Sequence, residues 1–255
     1  MVYLDNNATT PVDRRVYEAM SPYLFEKFGN PSTLYSIGAE ARAAVEEARK
    51  RVADLVGARP DEIVFTGCGS ESDNMALKGV AFAHMERGKH IIVSSIEHHA
   101  VLNTAAYLEK IGFEVTYLPV DRYGMVDPDD LRRAIRSDTV LVSIMLANNE
   151  IGTIQPVKEL CSVSHEKGVL FHTDAVQAAG KLKIDVEELG VDLLSLSAHK
   201  IYGPKGVGAL YIRKGTKIHP LIHGGHQERG RRAGTENVAG IVGFGKAAEI
   251  ALQEM

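Results

Sequence analysis

Cysteine is scarce in this sequence, with only Cys68 and Cys161 among 255 residues. Two cysteines make no disulfide framework, so stability has to come from a core. A large excess of charge of either sign is also missing. Lys and Arg number 29 and Asp and Glu 33, a net charge of −4. That balance gives no electrostatic basis for holding nucleic acid or an anionic membrane. No apolar run approaches the roughly 20 residues that span a bilayer. The opening residues, Met1-Val2-Tyr3-Leu4-Asp5-Asn6, show neither the basic nor the apolar segment of a secretory signal. Internal repeats and low-complexity tracts are absent. The expectation is a soluble, cytoplasmic protein of one large domain or two small ones, and the 45% hydrophobic content supports a real core.

What is present is an alternation. Residues 1–38 are rich in Asn, Pro, Gly and Ser and read as irregular. Residues 39–56 read as a helix, with Val45, Ala48, Val52 and Leu55 at helical spacing and Gly57 as its stop. Apolar, β-branched runs then appear at 63–65, 91–93, 115–118, 140–144, 169–171, 193–196 and 209–212. Helical patterns near 72–87, 99–111, 128–136 and 156–167 separate most of them. Near-continuous apolar strands alternating with helices predict an α/β protein of three layers, a mostly parallel sheet covered on both faces. Only eleven residues lie between Ser197 and Ala209, and they include three glycines and a proline. A parallel crossover needs about a dozen or more, so strand 208–213 is predicted to run antiparallel to 193–197. The last helix, 238–252, carries no stop signal before Met255, which suggests a polypeptide that ends within or just after a long helix.

Chemistry-bearing residues gather where strands end, the edge at which open α/β sheets bind ligands. Ser197-Ala198-His199-Lys200 follows the run Leu193 to Leu196. A partly desolvated lysine there can serve as an amine nucleophile toward a carbonyl. Gly67-Cys68-Gly69-Ser70 joins a strand to a helix. Ser70 is the expected N-cap, with Asp73 completing a capping-box-like pair, and the helix start attracts an anion such as phosphate. His172 and Asp174 are two apart in a strand and share a face. An Asp at that edge can pair with a protonated pyridine nitrogen. A rival reading makes His172 and Asp174 metal ligands, with His98, His99, His223 and His226 as further donors. It leaves the lysine without a task. His98 opens a helix and could stack on a flat ring. Asn148-Asn149 reads as a turn. Together the four loops suit one cofactor, pyridoxal 5′-phosphate: phosphate at the helix start, Asp174 on the ring nitrogen, Lys200 on the aldehyde.

The chain resembles the NifS/IscS-type cysteine desulfurases among the fold-type I pyridoxal-phosphate enzymes. The resemblance is carried by Tyr3-Leu4-Asp5-Asn6-Asn7-Ala8-Thr9-Thr10, Phe28-Gly29-Asn30-Pro31-Ser32, Asn148 to Gly152, His172 to Gln177 and Ser197 to Gly206. Gly224 to Asn237 leans toward the nitrogenase-associated subgroup. The resemblance implies that Lys200 binds the cofactor aldehyde and moves protons at Cα. It implies that His98 stacks on the ring in acid–base steps, Asp174 pairs with the ring nitrogen, and Gln177 meets the phenolic oxygen. Asn149 also contacts the cofactor, while Gly69, Ser70, Ser197 and His199 hold the phosphate. Thr235 is expected to reach the phosphate of a neighbouring subunit in a homodimer, with Arg229, Arg231 and Arg232 in the interface loop. The implied reaction converts L-cysteine to L-alanine and passes sulfur as a persulfide toward an iron–sulfur scaffold protein.

The resemblance also implies a division of the chain. Residues 1–14 would contribute to a small domain and 15–255 would form the cofactor-binding large domain. The family's nucleophilic cysteine and its substrate-carboxylate arginine would lie beyond Met255. Cys68, in the phosphate loop, is no substitute, and Cys161 reads as a packing cysteine. Tyr35 stands where many relatives have histidine. The alternatives are a selenocysteine lyase or related pyridoxal lyase, a metal-dependent hydrolase, and a non-catalytic dimer partner.

Overall fold

The order of one sheet decides where the chemistry collects. In the computed structural model, which describes residues 2–255, seven strands form it among the described residues. They are β1 (Ile63–Thr66), β2 (His90–Ser94), β3 (Glu114–Leu118), β4 (Thr139–Ser143), β5 (Leu170–Asp174), β6 (Leu193–Ser197) and β7 (Gly208–Ile212). Their spatial order is β1-β7-β6-β5-β4-β2-β3. The neighbours from β6 to β3 pair in parallel. β7 is antiparallel to β6 and to β1, as the short connection before it requires. Both β1 and β6 oppose β7, so they run the same way. The carboxyl ends of β1, β2, β4, β5 and β6 therefore share one edge.

Helices cover both faces. They are α1 (Arg14–Met20), α2 (Pro22–Phe25), α3 (Ser36–Val56), α4 (Gly69–His84), α5 (His99–Lys110), α6 (Pro128–Ala134), α7 (Val157–Glu166), α8 (Val186–Leu189) and α9 (Val238–Glu254). One apolar cluster joins Met75 and Leu77 of α4 and Val101 and Leu108 of α5 to Ile91 and Leu193. The other joins Val45 of α3, Leu160 of α7 and Phe244 of α9 to Ile92 and Phe171. Alternate strand residues feed opposite clusters, as the pleat demands. α3 and α9 cross closely, and only glycine fits the contact: a Cβ on Gly245 would lie 2.6 Å from Ala48 Cα.

Two expectations fail. Residues 1–38 are not wholly irregular, because α1 and α2 lie within them. α1 is capped by Asp13, whose carboxylate accepts the Arg15 N–H, and buries Val16. Ser70 is not the N-cap of α4. The helix begins at Gly69 with Cys68 as cap, and Asp73 is turned inward, 1% exposed. No helix among the described residues is long and apolar enough to cross a membrane.

Candidate active site

The shared strand edge opens into a cavity of about 610 Å³. Nine of the residues singled out from sequence line it: Gly69, Ser70, His98, Asn149, Asp174, Gln177, Ser197, His199 and Lys200. Thr235 does not. It lies in a separate cavity of about 130 Å³ with Arg232 and Asn237.

The start of α4 forms one wall. The first amides of a helix have no intrahelical acceptor. No side chain caps this end. Glu71, the one acid in the first turn, is already engaged: its carboxylate accepts the Gly67 N–H at 2.8 Å and Arg232 Nε at 2.8 Å. The positive end of the helix is thus left facing the cavity. Opposite stands Ser197 Oγ, buried and without a partner. A Cβ on Gly69 would come within 2.9 Å of Val176 Cγ2 and 3.4 Å of Ser197 Cβ, so glycine is needed for these walls to approach.

Asp174 ends β5 and is 5% exposed. One of its oxygens accepts the Val176 N–H at 2.8 Å. Burial pushes its carboxyl up, against the Val176 hydrogen bond and the pull of His98 and Lys200. Lys200 Nζ donates to the carbonyls of Asn7 and of Ala8, the latter at 3.0 Å. Burial pushes its ammonium below the ordinary lysine value, with Asp174 and Asp5 pulling it back. Gln177 Nε2 donates to the same Asn7 carbonyl at 2.8 Å.

His98 caps α5, its Nδ1 accepting the Ala100 N–H at 3.1 Å. That leaves Nε2 to carry the ring proton. The two adjacent asparagines divide their work. Asn148 is structural, donating to Ile96 O at 2.9 Å and accepting from the amides of Glu150 and Ile151. Asn149 is released to the cavity.

The metal reading does not survive the geometry. His172 is fully buried, and both ring nitrogens are engaged, Nδ1 with Ser143 at 2.8 Å and Nε2 with Ser195 at 3.0 Å. Cys161 is a packing cysteine in α7, 1% exposed, with burial pushing its thiol up to about 12.

Two acids went unnoticed in the sequence as site residues. Asp73 reaches the cavity from α4, and burial followed by the charge of Asp174 pushes its carboxyl well up. Glu97 lies beneath, accepting Ser94 Oγ at 2.6 Å and the Met145 N–H at 2.8 Å, and burial pushes it up to about 8. The sequence carries no signal for either, because both depend on burial made by distant strands.

Residues 2–255 match the aminotransferase class-V family. The chain is 66% identical over 254 residues to cysteine desulfurase IscS of Dictyoglomus turgidum, covering 100% of this chain and 64% of that protein. It is 65% identical to cysteine desulfurase IscS of Methanosarcina thermophila, covering 100% of this chain and 63% of that protein. Among solved structures, a NifS-like protein superposes with a TM-score of 0.97 at 52% identity, over 99% of this chain and 70% of that one. SspA in complex with cysteine superposes with a TM-score of 0.95 at 48% identity, over 98% of this chain and 72% of that one. The chain spans about 64% of the length of the curated relatives it matches. The match over residues 2–255, together with the close superposition on a NifS-like protein, places the chain in the class-V aminotransferase family.

Proposed function

We propose that this chain is the pyridoxal 5′-phosphate-binding large domain of a cysteine desulfurase, acting on L-cysteine. The observation that carries the reading is the meeting of three groups in one cavity. They are a partly desolvated lysine, a buried aspartate, and an uncapped helix start facing an orphaned hydroxyl. A phosphate suits the third, since Ser197 Oγ and the first amides of α4 lack partners and His199 lies beside them. Asp174 suits a ring nitrogen, and Lys200 an aldehyde.

The bound cofactor would supply an electron sink for negative charge at the substrate Cα. The rest belongs to the chain. Asp174 would keep a proton on the ring nitrogen, helped by a Val176 amide that favours its charged form. Lys200, easier to deprotonate than an exposed lysine, would move the proton at Cα. His98 presents an N–H from a ring fixed by its own capping bond. Cys68 occupies the N-cap position of α4 without a side-chain capping bond, at the phosphate end, and is not placed in the sulfur step. The persulfide cysteine and the carboxylate-binding arginine would belong to the further length that relatives carry, as would most of a small domain that residues 1–14 join. Thr235, outside this cavity, would serve a partner subunit of a homodimer. An iron–sulfur scaffold protein would receive the sulfur in the cytoplasm. Cysteine as substrate is supported by the relatives' names and by the cysteine complex of SspA.

Titration of the chain with pyridoxal phosphate tests the reading. The wild type should gain a saturable visible band, and Asp174→Ala should weaken it by at least about tenfold, the loss of one buried charge pairing. No saturable band in the wild type would overturn it.

A further inference from the structure

Lys200 stands in a turn that needs an outside brace. After β6, the Ile201 and Gly203 amides both donate to Ala198 O, at 3.0 and 2.9 Å. This folding forces Tyr202 to φ +63°, the left-handed region that a residue with a side chain rarely occupies. Such a conformation persists only where its surroundings hold it.

Thr10 provides the hold from 192 residues earlier in the chain. It is 2% exposed. Its hydroxyl donates to His199 O at 2.9 Å and accepts the Tyr202 N–H at 2.8 Å. Its own N–H donates to His199 O at 3.0 Å. One hydroxyl thus bridges the backbone on both sides of Lys200. The chain around Thr10 extends the grip. The Asp13 N–H donates to Tyr202 O at 2.9 Å, and the Ala8 carbonyl takes Lys200 Nζ at 3.0 Å. A hydroxyl can donate and accept at once, so serine could replace threonine here and valine could not.

We propose that Thr10 is a positioning residue for Lys200, fixing the turn that aims its amine into the cavity. The geometry stands alone, while its consequence for the reaction rests on the cofactor reading above.

The test compares wild type, Thr10→Ser and Thr10→Val by two readouts on Lys200. One is acetylation by acetic anhydride, measured by mass spectrometry relative to the exposed Lys158. The other is the rate at which pyridoxal phosphate is trapped on Lys200 by borohydride. Thr10→Ser should match wild type in both. Thr10→Val should raise Lys200 acetylation severalfold while slowing trapping about tenfold, because the amine is freer but misplaced. Thr10→Val with wild-type values in both readouts overturns the proposal. If Thr10→Val does not fold, hydrogen exchange in the wild type decides. The Tyr202 amide should be strongly protected by Thr10 Oγ1, and rapid exchange there overturns the proposal. If the wild type takes up no pyridoxal phosphate, the cofactor reading fails and the acetylation ratio still judges Thr10.

Discussion

Asp73 Oδ1 and His172 Nε2 face each other at 3.7 Å beneath the cavity and form no ion pair. Burial pushes the imidazole down to about 3, so it stays neutral and serves Ser143 and Ser195 as a hydrogen-bonding strut. The same burial pushes Asp73 and Glu97 up. Of Asp73, Glu97 and Asp174, the last is the one whose rise is opposed by an amide, an imidazole and a lysine. Negative charge is best placed there, on the carboxylate assigned to the ring nitrogen.

Glu97 sets a pH dependence with a definite sign. Its ordinary value is 4.5 and its folded value about 8. Between these the folded chain keeps a proton that the unfolded chain releases, so stability falls as pH rises through that window and levels off above it. At about 1.4 kcal/mol per unit, the span is roughly 5 kcal/mol at most. His172 works oppositely below 6.5, losing stability as pH falls, so the two effects oppose each other between 4.5 and 6.5. Thermal melts of wild type and Glu97→Gln from pH 5 to 9 isolate Glu97. The variant should gain on the wild type steadily up to pH 8. Parallel curves would refute the assignment.

The loop that carries Thr235 is held by a buried ion pair. Arg49 meets Glu228 through two hydrogen bonds, at 2.7 and 2.8 Å, and Glu228 also accepts the Phe65 N–H at 2.9 Å. The two side chains are 4% and 3% exposed. Arg49→Met should cost about 3–5 kcal/mol by stranding Glu228. Arg49→Met with Glu228→Gln should recover most of that loss, since glutamine keeps an acceptor for Phe65. Urea unfolding of the single and double variants measures both.

The two thiols should separate cleanly. Cys68 is exposed at the cavity wall and Cys161 is buried. A maleimide should label one thiol per folded chain, at Cys68, and two in urea. Pyridoxal phosphate should slow the labelling of Cys68. Rapid labelling of Cys161 in the folded chain would contradict its packing role.

The sheet was legible because each strand carries a short apolar or β-branched run, even where polar residues finish it as in β5 and β6. The reversal at β7 was legible because eleven residues cannot make a crossover. α1 was hidden, since a seven-residue helix has too little pattern to outweigh the turn-forming residues around it, and its stability comes from packing on α9. Ser70 looked like a cap because a hydroxyl ahead of an acid fits the capping pattern. The cap falls two residues sooner, at Cys68, and Asp73 turns its carboxyl inward. The grip of Asn7, Ala8 and Thr10 on the Lys200 turn spans more than 180 residues of sequence, and no local pattern records it.

Borohydride trapping on the folded chain decides whether Lys200 is the amine that takes the cofactor aldehyde. The chain is saturated with pyridoxal phosphate, its visible spectrum is recorded before and after reduction, and the labelled peptide is mapped beside a Lys200→Ala control. The expected result is a yellow protein, bleached on reduction, with the label on Lys200 and none in the control. A label on Lys181 or on surface lysines, or an equal label in Lys200→Ala, would contradict it.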